Sequence, residues 1–299
     1  MTLLLPARCP LPLDTVVHAD LLTLCNRLES QSVDMILCDL PYGSLEVAWD
    51  VALPFEPMWA QFKRIIKPQG AIVLTAKQPF SSFLLVSNPT MYRYSWYWEK
   101  SKGANVAQTG YRPLMVIEEV LVFSHAPAVF SSVETMNYYP QRERLNRSYK
   151  RNYKATHSKI TKTDGAPMRN PEKIIGAHVY EFSTPRNLFY AATDGDIRYH
   201  PTQKPVALFE YLIRTYTQPG ELVLDPVAGS GTTAIAARNT GRHFICGDLS
   251  AEYVMIARNR LAQPYTLPLL LDTAPASNVE KPVTLPMFET LPVMESVST

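Results

Sequence analysis

Two short segments of the chain carry the residue types best suited to chemistry. The first, Asp39-Leu40-Pro41-Tyr42, directly follows the apolar run 33–38. The exocyclic amine of a nucleobase is a poor nucleophile because its lone pair is delocalised into the ring. A carboxylate and a carbonyl that accept its two N–H bonds localise that lone pair, while an aromatic ring holds the base flat. Asp39, the Leu40 carbonyl and Tyr42 have the spacing for these roles, and Pro41 stiffens the turn. In isolation, the tetrapeptide also fits an ordinary strand-to-turn transition.

The second segment, 225–233, is a glycine-rich turn after the apolar run 221–224. Such a turn before a helix lets the backbone approach a ligand closely. It is neither GxGxxG nor a Walker loop, which disfavours a phosphate cradle. Two more acids follow predicted strands: Asp248, suited to ribose hydroxyls, and Asp20, suited to an adenine amino group. Each acid alone also fits a helix cap or a turn. Together they predict a site for a nucleoside-like cofactor, formed by Asp20, Asp225, Pro226, Gly229, Ser230, Gly231, Thr232 and Asp248.

Alternating helices and strands must position these segments. Apolar periodicity and turn residues predict strands at 15–18, 33–38, 71–75, 92–98, 116–123, 222–225 and 244–248. Helices are predicted at 21–28, 58–66, 206–216, 232–238 and 251–261, with Pro68-Gln69-Gly70 ending the second of them. This alternation predicts an α/β fold with a parallel sheet covered on both faces.

Charge is distributed unevenly along the 299 residues. The chain has a net charge of only +2, yet residues 138–199 contain 12 of its 29 Lys and Arg and 6 of its 27 Asp and Glu. This region therefore carries a net charge of +6 and the remainder −4. A basic insert on a mildly acidic body predicts a polyanionic partner. The four cysteines are scattered, which indicates reduced core thiols and no metal site, and no run of apolar residues is long enough to span a membrane.

The two chemical segments resemble those of the amino-methylating DNA methyltransferases, which carry a DPPY-type motif and bind S-adenosylmethionine. The resemblance covers roughly residues 14–125 and 198–261 and includes Asp20, Trp98-Glu99-Lys100, and the segment ending Leu121-Val122-Phe123-Ser124. Its most specific part is His200-Pro201-Thr202-Gln203-Lys204-Pro205. The catalytic motif comes first and the cofactor loop last, which is the order of the permuted β group.

The resemblance implies a Rossmann-like, seven-stranded S-adenosylmethionine-dependent methyltransferase fold with an inserted target-recognition region. It divides the chain into a catalytic half at 14–125, a basic insert at 126–198, a cofactor-binding half at 199–263 and an extended tail at 264–299. It also adds Asp39 and Lys204 to the cofactor-binding residues, although Lys204 equally fits a residue that positions the catalytic loop or an ordinary solvated lysine. The implied reaction transfers the sulfonium methyl to the amino group of a flipped adenine in double-stranded DNA. The predicted DNA-binding residues lie in the insert: Arg142, Arg144, Arg147, Lys150, Arg151 and Lys154.

Several alternatives stay open at this point. Transfer to the cytosine N4 amino group needs nearly the same geometry, although Asp at the first motif position favours adenine. Methylation of RNA or of a protein amide and a catalytically inactive DNA-binding module are further interpretations. Two positions depart from the family pattern: Leu40 replaces the usual Pro, and Val227 stands where many members have Phe. The resemblance is compatible with a homodimer, a companion restriction endonuclease, and a cytoplasmic enzyme that is prokaryotic or encoded by a phage.

Overall fold

The structure is a computed structural model that describes residues 11–43, 53–129, 134–142, 144–153, 176–191, 199 and 203–263. For residues 144–153 and 176–182 it describes the backbone. The described strands are β1 (Thr15–His18), β2 (Val33–Asp39), β3 (Ile66–Ala76), β4 (Tyr92–Ala104), β5 (Met115–Phe123), β6 (Arg144–Tyr153), β7 (Gly176–Phe182), β8 (Leu188–Ala191), β9 (Leu222–Asp225) and β10 (His243–Asp248). The described α-helices are α1 (Leu21–Asn26), α2 (Phe55–Ile65), α3 (Phe80–Ser87), α4 (Val206–Tyr216), α5 (Thr232–Asn239) and α6 (Ala251–Ala262).

Eight of these strands form one mixed sheet in the order β1-β10-β9-β2-β3-β5-β4-β8. The first five are parallel, β5 is antiparallel to both β3 and β4, and β8 runs parallel to β4. The chain runs outward from β2 to β3 on one side and from β9 to β10 on the other. The β2–β9 pair is therefore the point where the strand order reverses, and in such sheets ligands bind beyond the carboxyl ends of the strands at this point.

Each face of the sheet is covered by its own helices, because successive strand residues point to opposite faces. In β2, Met35 and Leu37 belong to the core cluster that α4, α5 and α6 cover. Ile36 and Cys38 belong to the cluster that α1, α2 and α3 cover. All six of the β2 residues from Val33 to Cys38 are buried, which holds the strand end at Asp39 between two packed layers.

The predicted α/β fold with helices on both faces of the sheet is confirmed, but the sheet is mixed instead of parallel, and individual elements differ from the prediction. Helix α2 ends at Ile65, and Pro68-Gln69-Gly70 lie inside β3 instead of ending the helix. Ile66 already pairs with Val33, so the buried apolar run continues from the helix directly into the strand. The sheet has eight strands instead of seven, since β8 adds to the edge of β4. Helix α3 was not predicted.

The predicted basic insert contains two kinds of described structure. Strands β6 and β7 form a separate antiparallel pair, whereas β8 belongs to the main sheet. The proposed boundaries at residues 126 and 198 stay a prediction, and the 264–299 tail lies outside the described residues. In the described part of the chain, no helix has the length and apolar character needed to cross a membrane, and no group of three or more His, Cys, Asp or Glu side chains is arranged for a metal ion.

Candidate active site

Acidic residues follow four adjacent strands at the same edge of the sheet. Asp39 ends β2, Asp225 ends β9, Asp248 ends β10, and Asp20 comes two residues after β1. Strands β1, β10, β9 and β2 are neighbours and parallel, so their carboxyl ends meet at one edge. The fold thus brings together two sequence segments that are nearly 190 residues apart. A row of carboxylates suits hydroxyl, amino and cationic groups better than phosphate.

The Asp39 carboxylate is held by three side chains. Tyr42 donates its hydroxyl to Oδ1 at 2.8 Å, and Thr75 from the neighbouring strand β3 donates to the same oxygen. The Lys204 ammonium donates to Oδ2 at 2.6 Å. An ionised carboxylate has about four acceptor positions, so these three donors leave room for one more. Asp39 is therefore a fixed acceptor with one remaining place for an external N–H group.

Lys204 is the buried cation of the site, with 6% of its surface exposed. It lies between two carboxylates, because its Nζ is also 3.5 Å from Oε2 of Glu118 on β5. Lys100 on β4 donates to the other Glu118 oxygen at 3.0 Å. Burial alone would lower the pKa of Lys204, but Asp39 and Glu118 outweigh it and raise that pKa above its usual value. The ammonium therefore keeps its proton, which makes Lys204 a positioning charge and not a base.

Glu118 was missed in the sequence, although it belongs to this charge chain. Burial would raise its pKa, but the ammonium groups of Lys204 and Lys100 outweigh that effect and hold the pKa below its usual range. Thr75 was also missed, because a threonine inside an apolar strand is an ordinary strand residue. Both residues reach the site only through the register of the folded sheet. This register pairs Asp39 with Thr75, and Thr75 with Val120, two residues after Glu118.

The remaining residues of the catalytic segment have different surroundings. Leu40 is 3% exposed and packs in the core, so its side chain is structural. The Tyr42 ring is half-buried, with its centroid 5.1 Å from that of Phe80. The Lys77 ammonium lies 5.3 Å from the same ring. Burial, with Asp39 and Glu118 nearby, raises the pKa of Tyr42 well above its usual value, so the hydroxyl stays a donor.

The cofactor loop depends on two glycines with positive φ, Gly229 (50°) and Gly231 (82°). A Cβ on Gly231 would lie 2.6 Å from that of Ala257, so glycine allows helix α6 to pack against the loop. Asp225 anchors the loop through hydrogen bonds donated by the Val227 backbone at 3.1 Å and by the Thr233 hydroxyl. Burial raises the pKa of Asp225 to about 7, against the lowering effect of these hydrogen bonds.

The other two acids differ in exposure and in role. Asp248 is half-buried and accepts the Gly229 and Ser250 backbone N–H groups, both at 2.8 Å. Each Asp248 oxygen keeps acceptor capacity for a ribose hydroxyl. Asp20 is exposed and caps helix α1, where its Oδ1 accepts the Thr23 N–H at 3.0 Å. These capping hydrogen bonds lower the pKa of Asp20.

The loop is also linked to the segment before α4. The Ser230 hydroxyl lies 3.2 Å from Oε1 of Gln203, and the buried Arg260 donates to the Ser230 carbonyl at 2.8 Å. Thr232 is buried and lies 3.5 Å from the Lys204 carbonyl, while Pro226 is buried beneath the loop. The predicted cofactor residues from Asp225 to Thr232 thus form one connected unit with Lys204. Residues 200–202 of the motif lie outside the described part.

The predicted DNA-binding residues are only partly described. Arg142 is exposed, and four others lie along β6: Arg144, Arg147, Lys150 and Arg151. This strand pairs with β7, with Lys150 opposite Val179. Lys154 lies outside the described residues.

Comparison with known proteins adds an independent finding. A family model described as DNA methylase matches residues 33–259. The chain is 30% identical to the type II methyltransferase M.HpaI of Haemophilus parainfluenzae over 247 residues, 78% of this chain and 69% of that protein. It is 28% identical to the DNA adenine methyltransferase YhdJ of Escherichia coli (strain K12), over 83% of this chain and 82% of the relative.

Solved structures show the same fold. A crystal structure of the M1.HpyAVI–SAM complex aligns with 83% of this chain and 99% of its own, with a TM-score of 0.51 and 21% identity. The cytosine-N4-specific PvuII DNA methyltransferase aligns with 83% of this chain and 86% of its own, with a TM-score of 0.56 and 17% identity.

Proposed function

The chain belongs to the DNA methylase family, and on that premise we propose that it transfers the methyl group of S-adenosylmethionine to the N6 amino group of adenine in DNA. The main support for this proposal is that the Asp39–Tyr42 segment and the 225–232 loop follow the adjacent strands β2 and β9. An acceptor for an amine therefore lies beside a nucleoside-type site at the point where the strand order reverses.

Asp39 supplies the activation of the amine. Its remaining acceptor position takes one N–H of the target base, and the Leu40 carbonyl takes the other. The nitrogen lone pair would then attack the methyl carbon, so that the N–CH₃ bond forms as the S–CH₃ bond breaks. The neutral thioether would leave, and the methylated amine would release one proton to water. Lys204 and Thr75 hold the carboxylate in one orientation, so little reorganisation is needed when the base arrives.

The energy balance of base binding is close. Flipping the base out of the duplex costs a few kcal/mol. Stacking on Tyr42 returns about 1–3 kcal/mol, and a hydrogen bond to a charged group such as Asp39 returns about 1.5–3 kcal/mol. These contributions offset the flip but leave little surplus. Most affinity for DNA must therefore come from phosphate contacts.

The site fits the cofactor in the chemistry of its acceptors. S-adenosylmethionine supplies an electrophilic methyl group on a positively charged sulfur. Asp248 would hold the ribose hydroxyls and Asp20 the adenine amino group, while the Gly229–Gly231 backbone would lie against the nucleoside. The carboxylates along this edge favour a cationic ligand, and the loop has no lysine placed for phosphate.

Adenine is favoured over cytosine by the first residue of the catalytic segment and by the relatives. Asp39 opens the motif, which favours adenine, and one relative that covers most of the chain is named a DNA adenine methyltransferase. The resemblance to the cytosine-N4-specific enzyme is one of fold alone.

DNA is the proposed substrate, and the basic insert is its proposed binding region. The exposed Arg142 and the basic residues along β6 would bind phosphates. Substitution of these residues should weaken DNA binding and flatten its dependence on salt, with the slope falling by roughly 0.9 for each phosphate that is no longer neutralised. A companion endonuclease and a prokaryotic setting are finer proposals, supported by bacterial relatives that carry type II methyltransferase names. A homodimer, a phage origin and a cytoplasmic setting stay predictions from the sequence resemblance.

The experiment that tests the proposed function is incubation of unmethylated DNA with the protein and S-adenosylmethionine, followed by nucleoside mass spectrometry. We expect N6-methyladenine, and sequencing of the same DNA would identify the site. Detection of N4-methylcytosine instead would show that the target base is cytosine and not adenine. If no methylated base appears while calorimetry still detects binding of S-adenosylmethionine, the transfer activity is refuted and the cofactor site is retained.

A further inference from the structure

Beyond Lys100, which donates to Glu118, the hairpin that joins β4 to β5 is an ordered projection with no role in the site described above. Beyond Glu99, which pairs with Ile117, the strands continue to the Ala104–Met115 pair, and a single 3₁₀ turn at Val106–Gln108 begins the tip. We name residues 101–114 the β4–β5 tip. Its residues are mostly exposed.

The tip projects from the active-site edge of the sheet. Asp39 pairs with Thr75 on β3, and Thr75 pairs with Val120 on β5. Since β5 is antiparallel to β3, the residues that precede Val120 extend past the carboxyl end of β3. Val120 lies five positions after Met115 along β5, which corresponds to about 17 Å at roughly 3.4 Å per residue. The tip therefore extends outward beside the place where a target base must enter.

Internal contacts order this tip. The Asn105 side chain accepts the Met115 N–H at 3.0 Å and donates to the Pro113 carbonyl at 3.4 Å. Asn105 itself has a positive φ of 60°, a conformation that Asn tolerates better than most residues. The Leu114 side chain covers Gly103, where a Cβ would lie within 2.4 Å of it. A tip fixed in this way loses little conformational entropy on binding a partner.

The exposed side chains of the tip combine an aromatic ring with positive charge. Tyr111 is 95% exposed and Val106 is 68% exposed. Lys102 and Arg112 are exposed beside them, and residues 101–117 contain these two basic residues and no acidic residue. Aromatic rings that stack on bases, together with cations that bind phosphates, are the usual means of holding unpaired nucleic acid.

We propose that the β4–β5 tip is a second DNA-binding surface, in which Lys102 and Arg112 bind phosphates and Tyr111 stacks on a base next to the flipped one. The inference rests on the proposed function, since it takes DNA as the substrate. It follows from continuity with the site: Glu118, four residues after Leu114, contacts Lys204, which contacts Asp39. The surface is distinct from the basic insert, which begins after β5.

The test measures binding of a short unmethylated duplex by fluorescence anisotropy over a series of salt concentrations. For Lys102→Ala/Arg112→Ala, we expect the slope of log K against log salt to fall by roughly 1.8, because two phosphates are no longer neutralised. Tyr111→Ala should weaken binding by about fivefold or more, while Tyr111→Phe, which keeps the ring, should stay within about twofold. Lys63→Ala is the control for the loss of one exposed positive charge away from the site, because the last turn of α2 lies at the opposite edge of the sheet, and it should leave the slope unchanged.

A duplex with 2-aminopurine at the target adenine reports flipping in the same variants. We expect a smaller fluorescence increase with Tyr111→Ala than with wild type. If binding and flipping are unchanged in both tip variants, the inference is overturned. Methylation by the wild-type protein would still uphold the proposed function. If wild type binds DNA but does not methylate it, the proposed function fails and the binding series alone decides the inference. If sedimentation shows that Tyr111→Ala dissociates a dimer without weakening DNA binding, the surface belongs to a second copy of the chain, which also overturns the inference.

Discussion

The Lys204 ammonium lies 2.6 Å from Oδ2 of Asp39, although 165 positions separate the two residues in the chain. The pair joins the segment before α4 to the carboxyl end of β2. Lys204 also reaches Glu118 at 3.5 Å, so one buried cation links two carboxylates from different strands. The cofactor half and the catalytic half of the protein are therefore connected by charge at the atom that activates the substrate.

Asp39→Ala removes the amine acceptor, and we expect it to abolish methylation. Loss of one preorganised hydrogen-bonding group that acts on the reacting atoms costs about 100- to 1,000-fold in rate. Binding of S-adenosylmethionine, measured by calorimetry, should change little, because the 225–232 loop does not depend on Asp39. Asp14→Ala, at the opposite edge of the sheet, controls for the loss of an acid. A folded Asp39→Ala protein that no longer binds the cofactor would refute this assignment.

Lys204→Met removes the buried cation but keeps the length of the side chain. We expect it to destabilise the protein by about 3–5 kcal/mol in urea unfolding, because two carboxylates lose their shared partner. Adding Glu118→Gln should recover part of this loss, which a double-mutant cycle would measure. Lys67→Met is the comparison: its pair with Asp34 has the same 2.6 Å distance, but Lys67 is 45% exposed and the buried Asp34 keeps a hydrogen bond from the Leu222 N–H. A smaller loss than for Lys204→Met is therefore expected.

The same substitutions separate positioning from packing in the kinetics. If Lys204 orients Asp39, Lys204→Met should lower kcat while KM for S-adenosylmethionine changes less. Glu118→Gln should lower kcat in the same direction by a smaller factor, and Glu118→Asp should restore part of it. If kcat falls and the KM for S-adenosylmethionine rises by equal factors, Lys204 acts on the cofactor, as the sequence resemblance implies.

The sequence predicts the elements of the site better than the contacts between them. Asp39–Tyr42 and the 225–232 loop were identified because each combines an apolar strand with turn residues. A role of Lys204 in positioning the catalytic loop was one of the sequence alternatives, but its direct pair with Asp39 was not predicted, since it depends on how the segment before α4 lies against the end of β2. Thr75 and Glu118 carry no local signal. The β6–β7 pair was also missed, because its polar sequence has no clear apolar alternation.

Leu40→Ala tests whether the catalytic segment uses its backbone or its side chain at this position. Leu40 is buried in the core, so truncation should cost about 2–5 kcal/mol of unfolding free energy. The carbonyl remains, and the rate of the folded protein, measured well below its melting temperature, should stay close to wild type. Leu40→Pro also keeps the carbonyl and should likewise lose stability more than activity. Leu13→Ala, at an exposed leucine, should have little effect on either quantity.

Gly231→Ala tests the close packing of the cofactor loop on α6. The new alanine would have to adopt a φ of +82°, and its Cβ would lie 2.6 Å from the Cβ of Ala257. Gly220→Ala is a matched control, because Gly220 has a φ of +83° with no atom within 4 Å of its added Cβ. Both variants should lose about 1–2 kcal/mol from backbone strain. Only Gly231→Ala should lose more and bind S-adenosylmethionine more weakly, as measured by urea unfolding and calorimetry. Equal losses in the two variants would show that the loop and α6 separate easily.

Asp225 makes the stability of the protein depend on pH. Burial raises its pKa from 3.8 to about 7 in the folded state. Between about pH 4 and pH 7 the folded state therefore keeps a proton that the unfolded chain has released. Since the folded state binds more protons in this range, the free energy of unfolding falls as the pH rises.

At about 1.36 kcal/mol per pKa unit, the contribution of Asp225 to this fall amounts to about 4 kcal/mol. We expect Asp225→Asn, which cannot ionise, to lose this part of the pH dependence, so that its stability relative to wild type improves from pH 4 to pH 7. Urea unfolding at several pH values without cofactor would measure the difference. A constant difference across the range would mean that Asp225 is ionised throughout, with its charge balanced by the hydrogen bonds from Thr233 and Val227.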